Sequence, residues 1–120
     1  MKIEIGPYVN EGETRKVDIH IDNYDIWNLD HTLALIIVPC LKKYRENAHG
    51  YFAVDNEDTP EHLYTDDSWS KERMEFVLDE MIFAFETVVN DDRPFLEEDI
   101  SERTKNGLRL FGKYFQSLWD

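Results

Sequence analysis

The chain has one cysteine, Cys40, so no intrachain disulfide can form and no multi-cysteine metal site can be assembled. Cys40 lies in an apolar run, where a small buried side chain is expected rather than a nucleophile. Cations are scarce: 13 Lys and Arg stand against 26 Asp and Glu, a net charge of -13. A field of that sign repels nucleic acid and anionic membranes at long range, which argues against both as direct partners. The longest apolar run, Leu33–Leu41, is far short of the roughly 20 residues that span a bilayer. No signal-peptide pattern opens the chain, and a soluble intracellular protein is expected. Also missing are a serine-nucleophile motif, a P-loop and a dinucleotide fingerprint. The histidines at 20, 31, 49 and 62 show no metal-ligand spacing. No catalytic residue, metal or cofactor is therefore assigned, and an enzyme is not expected.

What is present suits one small domain spanning residues 1–120, with 16 aromatic residues to build its core. Residues 2–5 and 16–21 alternate polar and apolar side chains, the signature of half-buried strands. Gly6, Pro7, Asn10 and Gly12 between them supply turn chemistry for an antiparallel hairpin. Asn28 is placed to cap a helix running to about Arg45, with Leu29, Leu33, Ile36, Ile37, Leu41 and Tyr44 on one stripe. Pro39 interrupts that stripe and is expected to bend the helix or break its ladder near Leu35. Residues 46–67 read as a long irregular acidic loop. A second helix from Asp67 or Ser68 to Val89 has Met74, Val77, Leu78, Met81, Ala84, Phe85 and Val88 on its apolar face. After an acidic connection, Asp99 and Glu102 resemble a capping box that opens a third helix reaching the end of the sequence. Ile100, Thr104, Leu108, Phe111, Phe115, Leu118 and Trp119 line one side of it. The expected fold is α+β: three helices packed on a small antiparallel sheet, with one two-stranded hairpin per chain.

Two constellations stand out. Trp69, Phe76 and Phe83 recur at intervals of seven, off the main apolar face of the second helix. They make a second intramolecular contact or, together with Trp119, a homodimer seam. Lys105, Arg109 and Lys113 sit four apart on the third helix and form a cationic ladder. The ladder either pairs with the acids of the second helix, Glu72, Glu75, Asp79 and Glu86, or holds an anion. In the second case Arg109 offers a planar fork to phosphate or carboxylate, and Tyr114 or Trp119 offers a ring to a base.

The stretches "YDIWNLDHTLALIIVPCLKKYRENAHG", "VDNEDTPEHL" followed by "FVLDEMIFAFE", and "NGLRLFGKYFQSLWD", with the opening "KIEIGPY", resemble an uncharacterised family of tailed bacteriophages, found among marine and cyanobacterial myoviruses. Members of that family are usually longer, with extra residues after the Gly-Pro-Tyr motif and after the second helix. The resemblance implies a phage origin and the host cytoplasm as location; it brings no catalytic residues. On this reading the chain is a phage accessory protein acting by binding, with counter-defence by sequestering a nucleotide, another small anion or a host protein as its expected role. Two alternatives stand beside it: an acidic DNA mimic that binds a basic host nucleic-acid-binding protein, and a virion structural or assembly component. A homodimer is expected.

Overall fold

The computed structural model describes residues 1–90 and 98–120, the side chains of 98–101 excepted. Strand β1 (Lys2–Ile5) pairs antiparallel with β2 (Val17–His20), Ile3 lying opposite Ile19 and Ile5 opposite Val17. Opposed residues share a face of the pleat, so these four apolar side chains form one face and Lys2, Glu4, Asp18 and His20 the other. The Gly6 N–H donates to the Lys16 carbonyl at 2.7 Å and carries the pairing one step further. Gly12 takes φ 88° in the connection, a conformation open to glycine at little cost.

Four helices follow among the described residues, not three. They are α1 (Asn23–Trp27), α2 (Leu29–Asn47), α3 (Lys71–Asn90) and α4 (Glu98–Tyr114), the last tightening into a 3-10 turn at Phe115–Ser117. Three are long and one is short, and the broad α+β class holds. The expected cap, Asn28, does stand at the N-cap of the long helix α2, without a side-chain capping bond, and the extra helix α1 lies before it. Helix α1 begins at its own cap, Asp22, whose N–H donates to the Asp25 carboxylate at 2.8 Å. The Thr32 hydroxyl then reaches back to the Asp25 carbonyl at 2.9 Å and clips α1 to α2. Helix α2 runs through Pro39 without ending. Leu35 and Pro39 are both exposed, so water can serve the carbonyl that loses its helical donor. Cys40, expected to be buried, is exposed.

The helices pack on one another and not on the sheet, which corrects the expected layering. All eight strand residues are exposed. The core lies between α2, α3 and α4, with α3 at its centre and all seven expected residues of its apolar face buried. Ala34 and Leu41 face it from α2; Leu110 and Tyr114 face it from α4. Phe52 and Val54 also enter it, so the segment expected to be an irregular loop supplies part of the interior. Leu29 and Leu33, expected on the buried stripe of α2, are 42% and 45% exposed.

Helix α4 is rotated relative to the expected stripe. Thr104, Gly107, Leu110 and Tyr114 turn inward, whereas Leu108, Phe115 and Trp119 are exposed. Gly107 explains the rotation. A Cβ there would meet the Glu80 backbone and lie 2.6 Å from the Ala84 Cβ, so the two helices meet at their smallest residues. The expected acidic connection lies largely outside the described residues, and so does the side chain of Asp99, on which the expected capping box depends.

Salt bridges reinforce this layout. Arg45 of α2 holds Asp79 at 2.6 Å and Glu75 at 3.0 Å, and Lys42 holds Glu86 at 2.6 Å. The acids of α3 therefore answer the cations of α2, not the ladder of α4.

Candidate functional site

The ladder on α4 faces the segment 55–58, which enters a 3-10 turn at Asn56–Asp58. Asp58 is its focus, with a side chain 1% exposed. Arg109 Nη2 donates to one carboxylate oxygen at 2.7 Å. Lys113 Nζ and the Tyr114 hydroxyl donate to the other at 2.6 and 2.5 Å. The Asp55 N–H donates to the Tyr114 oxygen at 3.0 Å, which orients the phenol. Burial raises the Asp58 carboxyl, but the hydrogen bonds from Lys113, Tyr114 and Arg109 outweigh it and hold the group below its ordinary value. Burial and the hydrogen bond to Asp58 push the Tyr114 hydroxyl up.

The carboxylates of Asp55, Glu57 and Asp58 converge closely enough to suit a hard cation. Lys113 Nζ lies 2.9, 3.1 and 2.6 Å from them. Its ammonium sits where a cation would and offsets one of the three charges, and the hydrogen bonds it donates to Asp55 and then Asp58 hold it protonated well above the ordinary lysine range. All three ladder cations contact carboxylates of the chain itself, and Arg109 and Lys113 share the buried Asp58. The third, Lys105, stands apart and contacts Glu102 at 3.4 Å on the exposed side of α4. Tyr114, considered as a platform for a base, is buried and stacks on Phe52, ring centroids 5.5 Å apart.

The 54–65 segment is held by Arg73, which is 1% exposed. Its guanidinium donates to the Leu63 carbonyl at 2.8 Å and to the Val54 carbonyl and the Asn56 side-chain oxygen. The Asn56 side chain also bridges to Thr65, accepting from its N–H and donating to its carbonyl, each at 3.2 Å. Arg73 follows Glu72 at the start of α3, and its position beside Met74 on the buried side was the available signal for this role. Neither Arg73 nor Asp58 was singled out from the sequence, because their partners are distant in the chain.

The four aromatic residues considered as an interface separate into two settings. Phe76 is half-buried against the core. Phe83 is covered by the Arg103 guanidinium, 3.7 Å from the ring centroid, while Arg103 also pairs with Glu80 at 2.7 Å. Trp69 precedes α3 and is 62% exposed; Trp119 is 77% exposed. These two, with Tyr51, Phe52, Ser117 and Asp120, line one cleft of about 320 Å³.

Asp120 forms the polar rim of that cleft. It accepts the N–H groups of His49 and Gly50, at 2.8 and 3.0 Å, and contacts His49 Nδ1 at 2.8 Å. The His49 N–H is the first cause that keeps this carboxyl below its ordinary value. The Tyr44 hydroxyl donates to the Trp119 carbonyl at 3.1 Å. The segment after α4 is therefore anchored to α2 and to the 49–50 turn, and Trp119 is held at the cleft by its backbone. Chemically the cleft offers aromatic faces beside a fixed negative charge.

No helix of the described residues is long and apolar enough to cross a membrane. No family model, curated protein or solved structure matches the chain.

Proposed function

We propose that this is a non-catalytic phage accessory protein that acts by docking on a host protein, with the cleft of Tyr51, Trp69 and Trp119 as its contact site. One observation carries this reading: two indoles far apart in the sequence, both more than half exposed, line a single cleft. Exposed tryptophans gathered at one concavity are characteristic of binding hot spots. The chemistry of the cleft favours a basic segment. Aromatic faces attract Lys and Arg side chains, Asp120 adds a charge at the rim, and the net charge of -13 steers a cationic partner toward the molecule. Sequestering of an anionic nucleotide by the ladder is the less supported version, since Arg109 and Lys113 already engage Asp58.

The test is titration of a Trp27→Phe background with an arginine-rich peptide, an acidic peptide and a nucleotide panel, following the fluorescence of Trp69 and Trp119. The arginine-rich peptide is expected to bind, to weaken with salt, and to lose affinity at least tenfold in Trp69→Ala or Trp119→Ala. Nucleotide binding lost in Arg109→Ala would return the anion-sequestering version to first place. No response to any probe would remove the cleft as the site.

A further inference from the structure

The negative charge at the rim of the aromatic cleft has an imidazole beside it. Asp120 Oδ2 lies 2.8 Å from His49 Nδ1, and the same carboxylate accepts the backbone N–H groups of His49 and Gly50. The two backbone donors carry no net charge at any pH. The ring differs, because histidine is the side chain that ordinarily changes charge between about pH 5 and 8. It is 93% exposed, so protons reach it without any opening of the fold. A neutral ring donates through Nδ1–H and leaves the carboxylate its full charge. A protonated ring keeps that hydrogen bond and adds a positive charge against the carboxylate. A single proton thus takes the pair from net negative to neutral.

We propose, resting on the reading of this cleft as a dock for a basic segment, that His49 sets the charge at its rim, so that the segment docks weakly when the imidazole is protonated and firmly when it is neutral. Asp120 lines the cleft together with Trp69 and Trp119, so a change in its pairing is felt where the segment lies. The aromatic faces attract a cation in either state, and protonation therefore weakens docking without abolishing it. The carboxyl stays ionised across this window: the His49 N–H and then the His49 ring hold it below its ordinary value.

Neighbouring groups set the controls. Tyr44 of α2 donates to the Trp119 carbonyl at 3.1 Å. Burial and then the Asp120 charge push its hydroxyl up, so it stays neutral here. A second concavity, of about 600 Å³, shares Tyr51 and Trp69 with the cleft and carries His62, Asp67, Lys71 and Glu72. Of these four, His62 alone is of a type that ordinarily titrates near neutral pH, and it is the competing source of pH dependence.

The experiment titrates the full chain, in the Trp27→Phe background, with the arginine-rich peptide from about pH 5 to about pH 8 at fixed salt. Arginine stays charged throughout, so the peptide adds no titration of its own. Affinity is expected to rise about threefold to fivefold across the range, the scale of an exposed charge pair. His49→Asn puts an uncharged N–H donor in place of the ring and leaves the backbone bonds to Asp120 available; it should hold the high-pH affinity at both ends. His49→Lys should hold the low-pH affinity at both ends, and His62→Gln should keep the wild-type slope. The midpoint should coincide with the titration of the His49 ring followed by nuclear magnetic resonance. Should a variant unfold, that coincidence decides: a midpoint away from the His49 titration overturns the gating. A flat profile, a slope that survives His49→Asn or a slope lost in His62→Gln also overturns the gating and leaves the docking site standing. Absence of binding at every pH removes the docking site and the gating together.

Discussion

The Tyr114 hydroxyl donates a 2.5 Å hydrogen bond to the Asp58 carboxylate, and both side chains are buried where the 3-10 turn meets α4. This pair, with Lys113 and Arg109 on the same carboxyl group, ties the 46–67 segment to the helical body. Asp58→Asn is expected to destabilise the protein by about 2–3 kcal/mol, because a charge-assisted network loses its acceptor while the cations stay in place. Urea unfolding monitored by circular dichroism would show a lower midpoint. A midpoint equal to wild type would mean that the strap carries no net stability.

The same network sets a pH dependence. The carboxyls of Asp58, Asp25 and Asp120 lie below their ordinary value of 3.8 in the folded chain. A group lowered on folding stabilises above its unfolded value and loses that contribution as pH falls through its folded value. Thermal stability should therefore drop as pH falls below about 4, and Asp58→Asn should flatten part of that drop. Tyr114 works in the opposite sense. Its hydroxyl is raised above 10.0, so its contribution is complete below that pH and is lost as pH rises through the higher folded value. Tyr114→Phe should flatten the alkaline limb of a melting-temperature profile.

The two helical glycines of α4 should respond oppositely to alanine. At Gly107 a Cβ collides with Glu80 and Ala84 of α3. Gly107→Ala is expected to cost about 1–3 kcal/mol by forcing α3 and α4 apart. At Gly112 a Cβ meets nothing within 4 Å. Gly112→Ala should stabilise by roughly 0.5–1 kcal/mol through helix propensity and a less flexible unfolded chain. Chemical denaturation of both variants checks the pair, and equal effects would refute the close α3–α4 contact.

Arg73→Met should be among the most damaging single changes. The guanidinium satisfies the carbonyls of Val54 and Leu63 in the interior, and methionine can serve neither. A loss of about 3 kcal/mol or more is expected from the orphaned acceptors. Hydrogen exchange should show residues 54–65 opening more readily than α2 or α3. Uniform exchange across the chain would assign Arg73 a different role.

The end of the sequence should separate stability from binding. Trp119→Ala is expected to shift stability by less than about 0.5 kcal/mol, since the side chain is 77% exposed. Removing residues 117–120 deletes Leu118, packed on the core, and Asp120, acceptor to the 49–50 turn. That truncation should cost about 2–3 kcal/mol from lost packing and hydrogen bonds together. Melting curves of the two variants settle the contrast.

Periodicity made some elements legible in the sequence and left others ambiguous. The hairpin showed itself because alternation at period two has one structural reading at that length. The face of α3 was equally plain, since its apolar residues form one broad stripe with charges opposite. Helix α4 was harder. Leu108 and Phe115 compete with Leu110 and Tyr114 for the inward face, and hydrophobicity alone does not rank the two stripes. Gly107 breaks the tie through close approach to Ala84, a contact that exists only once α3 is in place. The same limit applied to the ladder: its spacing on one helix was visible, but its facing carboxylate lies 55 residues from Lys113.

Local order was thus determined by the sequence itself: two alternating strands, long amphipathic helices, an acidic surface and a cationic ladder on α4. These follow from short-range backbone preference and side-chain period, which need no partner. Only the tertiary structure decided which stripe of α4 is buried, that the anion before Lys113 and Arg109 is Asp58, that Trp69 and Trp119 share a cleft, and that the hairpin's apolar face stays open. Each of these is a contact between residues distant in sequence, chosen by packing complementarity among the helices and not by any local pattern.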